Sequence, residues 1–384
     1  MARQTVSEYR ARARHFAFRY PVLNEIQAQV SFWILANVLL ITLISWTLHA
    51  ASLVFPGVVN LPYWPQFWMA VAAGICYGIL LGLIDRWTDV SMNLGCSLGV
   101  RILLKSGAYM LAFAVIIAGT VALHEAVFAD LFRSLGIEMT ARTRTAWVAV
   151  ITLYTIVGTL LISFIKQVNR TFGPGVLLPL LLGRYRNPIE EKRIFMFMDL
   201  RASTTYAEEL GHIRYSAMVR DLFRDVNHVV PKHDAEIYQY VGDEVVFTWN
   251  VADGLHDGNC VKLFYAISDA IAAKADVYKN TYGFVPEFKA GLHVGDVTAV
   301  EIGDIKREIA YHGDTVNTAS RIQGVSNEFG HEFLVSGEVM DLLKDQELGP
   351  FRSQAVGSVL LKGKRSHVTI HWVERDPVRA AALN

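Results

Sequence analysis

An aspartate stands at the end of an apolar run in the second half of the chain. The run begins at Ile194 and leads into Asp199 and Leu200. Such a run is typical of a strand buried on both faces, and residues 202–204 are typical of the start of a helix. A carboxylate at this junction could hold a divalent metal ion beside a helix N-terminus that faces phosphate groups. The simpler alternative is that Asp199 caps the helix.

A second aspartate occupies a tight turn between two predicted strands. Asp243 lies in Val241-Gly242-Asp243-Glu244, between strands predicted at Glu236–Tyr240 and Val245–Trp249. If this hairpin pairs beside the strand of Asp199, the two carboxylates face each other across about 5 Å. Carboxylates this close repel unless a cation lies between them, and Mg²⁺ or Mn²⁺ suits such oxygen ligands. Two ions held there would serve a phosphoryl-type transfer.

A third motif places an amide and a guanidinium four residues apart. Asn317 and Arg321 fall in a helix predicted at Gly313–Val325, so they project from one helix face. The amide could orient a ribose, and the guanidinium could neutralise charge on a phosphate under attack. The alternative is an ordinary polar helix face in water.

The elements around these motifs predict an α+β domain from residue 190 onward. Alternating strands and helices indicate a mixed sheet with helices on one face. Helices are predicted at Ser203–Val230, Val261–Tyr278 and Gly313–Val325. Further hairpins are predicted about Gly295, between Phe288–His293 and Val297–Ile302, and about Gly363, between Val359–Lys362 and Val368–Trp372.

The first half of the chain is far more apolar than the second. The chain has 384 residues, of which 52% are hydrophobic, and its formal net charge of zero gives no indication of a nucleic-acid partner. Crossing a bilayer takes about 20 apolar residues. Four such stretches are predicted as transmembrane helices: about Val30–Phe55, Gln66–Ile84, Ser106–Phe128 and Ala146–Ile165. A soluble helical bundle is the alternative.

Basic residues predict the orientation of these helices. Five arginines precede the first stretch, and others lie between the second and third stretches and after the fourth. This bias places both termini in the cytoplasm, although the loop at 129–145 also contains arginines. His49 and His124 lie near predicted outer ends, where a haem or proton-relay role is an alternative to an ordinary one.

The domain boundaries follow from these patterns. The predicted parts are a basic segment on the inner membrane surface, a transmembrane domain, a linker, a catalytic domain and a tail. Their ranges are 1–29, 30–166, 167–189, 190–376 and 377–384. The three cysteines are widely separated and have neither metal nor redox spacing.

The three motifs together resemble the class III nucleotidyl cyclase catalytic domain. They read F-x-D-L-x-x-S-T, Y-V-G-D-E and G-D-T-V-N-T-A-S-R, and the resemblance covers about Ile194–Trp372. It implies a ferredoxin-like core in which Asp199 and Asp243 bind two Mg²⁺ or Mn²⁺ ions, with help from the Leu200 carbonyl. It also implies a head-to-tail homodimer with two active sites. The transition-state pair would be Asn317 and Arg321, and Lys362 would bind the triphosphate.

The positions that correspond to base recognition depart from the family pattern. The usual lysine is replaced by Gln239, and its usual polar partner is replaced by Ala310. A glutamine amide could read adenine or, flipped, guanine, so these two residues leave the purine open.

The four predicted spans resemble those of membrane-bound bacterial adenylate cyclases, which favours ATP as substrate. The sequence therefore predicts an adenylate cyclase in the inner membrane, with its catalytic domain in the cytoplasm. The alternatives are a guanylate cyclase and a catalytically silent signalling module.

Overall fold

The computed structural model describes two compact units. The described residues are 21–55, 58, 62–91, 98–134, 140–172, 185–303, 308–344, 350–364 and 366–376. One unit is built from residues 19–177, and the other contains residues 178–384. The basic segment before residue 21 and most of the predicted linker and tail lie outside the described residues.

The described part of the first unit forms four long helices: α1 (Pro21–Val54), α2 (Tyr63–Ser91), α3 (Leu98–Ser134) and α4 (Ala141–Phe172). Each contains a stretch long and apolar enough to cross a membrane, which confirms the four predicted apolar helices. The helices extend beyond the predicted stretches because their polar ends remain helical outside the apolar windows.

Helices α1 and α2 pack in very close contact. Gly74, Gly78 and Gly82 lie along the face of α2 that meets α1. A Cβ atom at Gly78 would lie only 2.3 Å from the Cα atom of Val30. Small residues at this spacing let two helix backbones approach each other, as in other membrane helices.

A buried carboxylate joins all four helices near one end of the unit. The side chain of Asp85 on α2 is only 4% exposed. It forms an ion pair with Lys105 of α3 at 2.9 Å and another with Lys166 of α4. Its oxygens also accept hydrogen bonds from Gln29 of α1, at 2.8 Å, and from Tyr109 of α3. Such pairing is what makes a buried charge tolerable.

The described part of the second unit contains an eight-stranded mixed sheet. Its strands are β1 (Ile189–Leu200), β2 (Glu236–Val241), β3 (Glu244–Asn250), β4 (Phe288–Ile302), β5 (Glu308–His312), β6 (Phe333–Ser336), β7 (Phe351–Val359) and β8 (Val368–Arg375). The strand order is β2-β3-β1-β4-β6-β8-β7, and β5 pairs with β4. Strand β1 runs antiparallel to both neighbours, β3 and β4. This confirms the predicted ferredoxin-like α+β core.

Helices cover both faces of the sheet, whereas the sequence predicted helices on one face only. The helices are α5 (Ser203–Val229), α6 (Asn259–Ala272), α7 (Ala275–Tyr282), α8 (Asp314–Gly324) and α9 (Gly337–Leu343), with short helical turns at Val251–Leu255 and Ser326–Phe329. Met196 and Met198 of β1 pack with α5 and α6, while Phe195 and Phe197 pack on the side of α8. Because residues 194–198 of β1 are all apolar, helices must shield both faces of this strand from water.

The hairpin predicted about Gly295 is wrong. Strand β4 runs unbroken through Gly295 and turns back only to β5. Packing against α8 requires a glycine at position 295, because a Cβ atom there would lie 2.4 Å from Thr315 Oγ1. A glycine between two apolar runs predicts a turn, but here the missing side chain makes room for α8 on the sheet.

Two further boundaries differ from the prediction. Strand β7 ends at Val359, so Lys362 lies in the turn before β8 rather than on a strand. The single helix predicted at Val261–Tyr278 is two helices, α6 and α7, with a break after Ala272.

Candidate active site

Asp199 lies at the end of β1, on the face of the sheet that α8 covers. It pairs in register with Glu244 of β3 and with Lys289 of β4. Lys289 Nζ lies 3.3 Å from Asp199 Oδ2, and Gln323 Nε2 of α8 donates a hydrogen bond to the same oxygen at 3.2 Å. Asp199 does not cap α5, because the N-cap residue is Ala202 and no side chain caps that end.

Asp243 lies in the turn between β2 and β3, as the sequence predicted. The turn is possible because Gly242 adopts a positive φ of 64°. Since β3 pairs with β1, Asp243 directly precedes the register partner of Asp199. Its Oδ2 atom is buried and has no hydrogen-bond partner among the described residues. An unpartnered buried carboxylate oxygen is costly and is satisfied by a cation.

The charges around the two aspartates reinforce one another. Burial raises the pKa of Asp199, and the charge of Asp243 raises it further, against the opposing effect of Lys289. Burial and these two carboxylates raise the pKa of Glu244 to about 7. Burial raises the pKa of Tyr215 to about 12, and its hydroxyl also hydrogen-bonds Asp243. The site therefore concentrates negative charge that a cation would relieve.

The donor set of the site fits a hard divalent cation. Two carboxylates and the main-chain carbonyl of Leu200, the last residue of β1, are oxygen ligands of the kind that Mg²⁺ and Mn²⁺ prefer. Nowhere in the described part of the chain, this site included, do three or more His, Cys, Asp or Glu residues form a group that could hold a metal ion, so the proposed donor set consists of two carboxylates and a carbonyl.

Asn317 and Arg321 project from α8 away from the sheet. Asn317 is exposed and Arg321 is half-buried. The Nη1 atom of Arg321 is buried without a hydrogen-bond partner among the described residues. A Cβ atom at Gly363 would lie 3.3 Å from its Nη2 atom, so the guanidinium lies against the turn before β8.

Lys362 precedes Gly363 in this same turn, and the turn brings Lys362 close to Arg321. Lys362 itself is exposed. The turn is tied to the start of α8 by an ion pair of 2.9 Å between Lys364 Nζ and Asp314 Oδ2. The hydrogen bond and the ion pair that Asp314 makes with Lys364 hold the pKa of Asp314 below its usual value. The turn before β8 therefore contacts α8 at two points, at Asp314 in its first turn and at Arg321 in its last turn.

The two predicted base-reading positions lie on strands joined by a tyrosine contact. Gln239 is exposed on β2, and Ala310 is buried on β5. Between them, the Tyr238 hydroxyl accepts a hydrogen bond of 3.3 Å from the backbone N–H of Tyr311. This contact joins the chain neighbours of Gln239 and Ala310, so it ties the two strands together at this point.

Lys289 and Gln323 are contacts of Asp199 that the sequence reasoning missed. A lysine at the second position of a buried strand was a detectable signal for Lys289, given the register with Asp199. Nothing in the sequence marked Gln323, because its approach to Asp199 depends on how α8 packs across β4.

The sequence of residues 187–375 matches the adenylate and guanylate cyclase catalytic domain. Over 209 residues the chain is 34% identical to adenylate cyclase 2 of Rhizobium meliloti (strain 1021), covering 54% of this chain and 57% of the relative. Over 191 residues it is 29% identical to human guanylyl cyclase C, covering 48% of this chain and 17% of that protein.

A solved structure is also similar to this chain. The adenylyl cyclase CyaB from P. aeruginosa is 20% identical, with a TM-score of 0.44, over 50% of this chain and 98% of that one. The chain spans little more than half the length of the Rhizobium relative and less of the human one.

Proposed function

We propose that this chain, which belongs to the class III nucleotidyl cyclase family through its residues 187–375, is a membrane-anchored adenylate cyclase. The reaction would convert ATP to 3′,5′-cyclic AMP and pyrophosphate. The observation that supports it most is the pairing of Asp199 with the hairpin of Asp243, where a buried carboxylate oxygen has no partner among the described residues. The named relative from Rhizobium favours the adenylate activity.

Asp199, Asp243 and the carbonyl of Leu200 would hold two Mg²⁺ or Mn²⁺ ions. Ions bound there would lower the pKa of the attacking 3′-hydroxyl and neutralise the triphosphate. The chain itself supplies the ligands on a rigid strand and a tight hairpin. Lys289, whose Nζ atom lies 3.3 Å from Asp199 Oδ2, opposes the rise in the pKa of Asp199 that burial and the neighbouring charge of Asp243 cause.

The remaining groups would act on the nucleotide. Asn317 would orient the ribose, and Arg321 would neutralise the charge that develops on the α-phosphate. Lys362, exposed in the turn beside Arg321, would bind the triphosphate. Among these residues no side chain is a dedicated general base, so the proton of the 3′-hydroxyl leaves with metal or substrate assistance.

A head-to-tail homodimer would complete each site. Arg321 and Gln323 are two residues apart, about 200° around the helix, so Arg321 points away from the face of α8 that touches Asp199 of its own chain. In the dimer, Asn317 and Arg321 of one chain would serve the aspartates of the other. Two equivalent active sites would result.

Gln239 would be the main polar reader of the base. Its amide could donate to adenine N1 and accept from the N6 amino group. Ala310 adds no hydrogen bond, so discrimination between purines would be weaker than with two polar contacts. Because the flipped amide suits guanine, a guanylate cyclase is the second candidate.

The four apolar helices support anchoring in a membrane, for which we propose the bacterial inner membrane. The domain ranges would be those predicted from the sequence, with 30–166 in the lipid bilayer and 190–376 in the cytoplasm. The formal net charge of zero gives no basis for a nucleic-acid partner.

A product assay with the purified full-length protein tests the activity. We would supply ATP or GTP, each with Mg²⁺ or Mn²⁺, and measure both cyclic nucleotides. The expected result is cyclic AMP from ATP at a higher kcat/KM than cyclic GMP from GTP. Faster formation of cyclic GMP would replace the proposal with the guanylate candidate. No product under any of the four conditions would leave a silent signalling module.

A further inference from the structure

Gln323 makes a contact that the proposed reaction does not use. This glutamine is 6% exposed, and its Nε2 atom donates a hydrogen bond of 3.2 Å to Asp199 Oδ2. Burying an amide costs free energy unless it finds a partner, and the partner here is a proposed metal ligand. Groups that hydrogen-bond a metal ligand orient it and tune its affinity for the ion.

The position of Gln323 is fixed by the packing of α8 on β4. A Cβ atom at Gly291 would lie 2.2 Å from Gln323 N and 2.6 Å from the carbonyl oxygen of Ala319. The backbone of α8 therefore rests directly on β4 at this point. A displacement of Asp199 would therefore be transmitted to α8, because the close packing on β4 leaves this helix little room to move.

Helix α8 also contains Asn317 and Arg321, on a different face. Asn317 lies six residues before Gln323, about 120° away around the helix. One face of α8 touches Asp199 of its own chain, and another presents the pair proposed to act on the partner's substrate. In the proposed dimer, each α8 would thus be in contact with both active sites.

We propose that Gln323 is a positioning residue for Asp199 and that its hydrogen bond couples the two active sites of the dimer through α8. The first part concerns contacts within one chain. The second part rests on the proposed function, because it needs the head-to-tail dimer. Occupation of one metal site would adjust Asp199, and Gln323 would pass the adjustment to Asn317 and Arg321 in the other site.

Metal binding tests the positioning role without any turnover. We would measure Mn²⁺ binding to the full-length protein by electron paramagnetic resonance, with no nucleotide present. Gln323→Met keeps the length and burial of the side chain but removes the donor, and we expect an affinity for Mn²⁺ about tenfold lower. The control is Thr318→Val, which removes a hydrogen bond from the same helix to its own Asp314 carbonyl. Equal Mn²⁺ affinity of Gln323→Met and wild type would overturn the positioning role.

Mixed dimers test the link between sites. Two full-length chains with different tags would be co-expressed, and the first chain would have Asn317→Ala. Only the site formed by the aspartates of the first chain and the Asn/Arg pair of the second would then work. Gln323→Met in the second chain alters a contact at the disabled site alone. We nevertheless expect kcat at the working site to fall about threefold, because α8 of the second chain contacts both sites and contacting residues are coupled.

A double-mutant cycle distinguishes the coupling between the two active sites from a general loss of structure. Asp199→Ala in the second chain removes the partner of Gln323, again only at the disabled site. It should lower kcat as much as Gln323→Met, and the two together should lower it no further. An unchanged kcat, or effects that multiply, would overturn the link. If the wild type binds Mn²⁺ but makes no cyclic nucleotide, the proposed function fails while the Mn²⁺ measurement still decides the role of Gln323.

Discussion

At the scale of single residues, the second unit concentrates carboxylates where two strands and a turn meet. Asp199 and Glu244 lie within one strand pair and Asp243 in the adjoining turn, and among the described residues Lys289 is the cation paired with this group. Protein folds rarely bury like charges together without a role for them, because each charge raises the free energy of the others. The balance suits a cation that arrives with the substrate.

Asp243→Ala should abolish cyclic nucleotide formation while the protein still folds and inserts. The substitution removes the proposed ligand, including the buried Oδ2 atom that has no partner among the described residues, and with it the hydrogen bond to Tyr215. We expect a loss of about 100-fold or more, as for other preorganised electrostatic groups. The assay is cyclic nucleotide formation with Mn²⁺, with Asp276→Ala, an exposed aspartate of α7, as the control. Full activity of Asp243→Ala would refute the metal-ligand assignment.

Glu244 should make the metal-free protein less stable as pH rises. Its pKa is about 7 in the folded protein against an ordinary value of 4.5, so folding favours the protonated acid. The stability that this group contributes is complete below pH 4.5 and is lost as pH rises through about 7. The thermal midpoint in EDTA, measured from pH 5 to 8, should fall in the wild type relative to Glu244→Gln. Parallel curves for the two proteins would contradict this shift.

At the scale of elements, the decisive feature is how closely α8 lies on β4. Gly291 and Gly295 form a groove along β4, and a Cβ atom at either would meet α8 at 2.2 and 2.4 Å. The helix that bears Asn317 and Arg321 is thereby held on the strand next to Asp199. The ion pair between Lys364 and Asp314 holds its first turn. Gly291 and Gly295 thus set the position of the helix that contributes Asn317 and Arg321 to the proposed active site.

Gly291→Ala should therefore damage both stability and activity. The new methyl group meets backbone atoms of α8, which cannot rotate away, and overpacking of this kind costs about 1–3 kcal/mol. We expect a lower thermal midpoint and a lower kcat as α8 lifts from the sheet. Gly324→Ala, on the same helix and with no atom within 4 Å of the new Cβ, should change stability by about 1 kcal/mol or less. Equal effects of the two substitutions would argue against close packing as the cause.

At the scale of the whole molecule, two units of different chemistry follow one another in the chain. The first is held by glycine-mediated contact between α1 and α2 and by the buried carboxylate of Asp85, which binds groups from the other three helices. Helix α4, which contains Lys166, is the last described helix before β1. The pairing of Lys166 with Asp85 therefore ties α4 to α2 six residues before α4 ends at Phe172.

Asp85→Asn should destabilise the first unit strongly. The substitution keeps the shape but leaves Lys105 and Lys166 without their counter-charge, and breaking a buried pair in this way costs about 3–5 kcal/mol. Glu125→Gln is the matched control, because Glu125 pairs with Arg144 at an exposed position and should cost about 1 kcal/mol or less. Unfolding of the full-length protein by SDS in detergent micelles measures both. Equal shifts would show that Asp85 has no special role.

The sequence alone determined the class of fold and indicated which residues could do chemistry. Hydropathy predicted four long apolar helices, because local patterns follow directly from side-chain type and helix or strand period. The resemblance of three motifs to the class III cyclase domain implied the roles of Asp199, Asp243, Asn317 and Arg321. Local patterns also predicted the hairpin of Asp243, and the strand register of the structure shows that this hairpin pairs beside β1.

Only the tertiary structure decided how distant elements meet. The sequence pattern predicts a turn at Gly295, whereas in the structure this glycine makes room for α8. The sequence patterns indicate neither Gln323 nor Lys289 as a neighbour of Asp199. The buried junction at Asp85 likewise draws on residues from four helices. Each of these contacts joins residues far apart in the chain, or side chains whose direction depends on strand register and helix packing. Local sequence patterns contain no information on either.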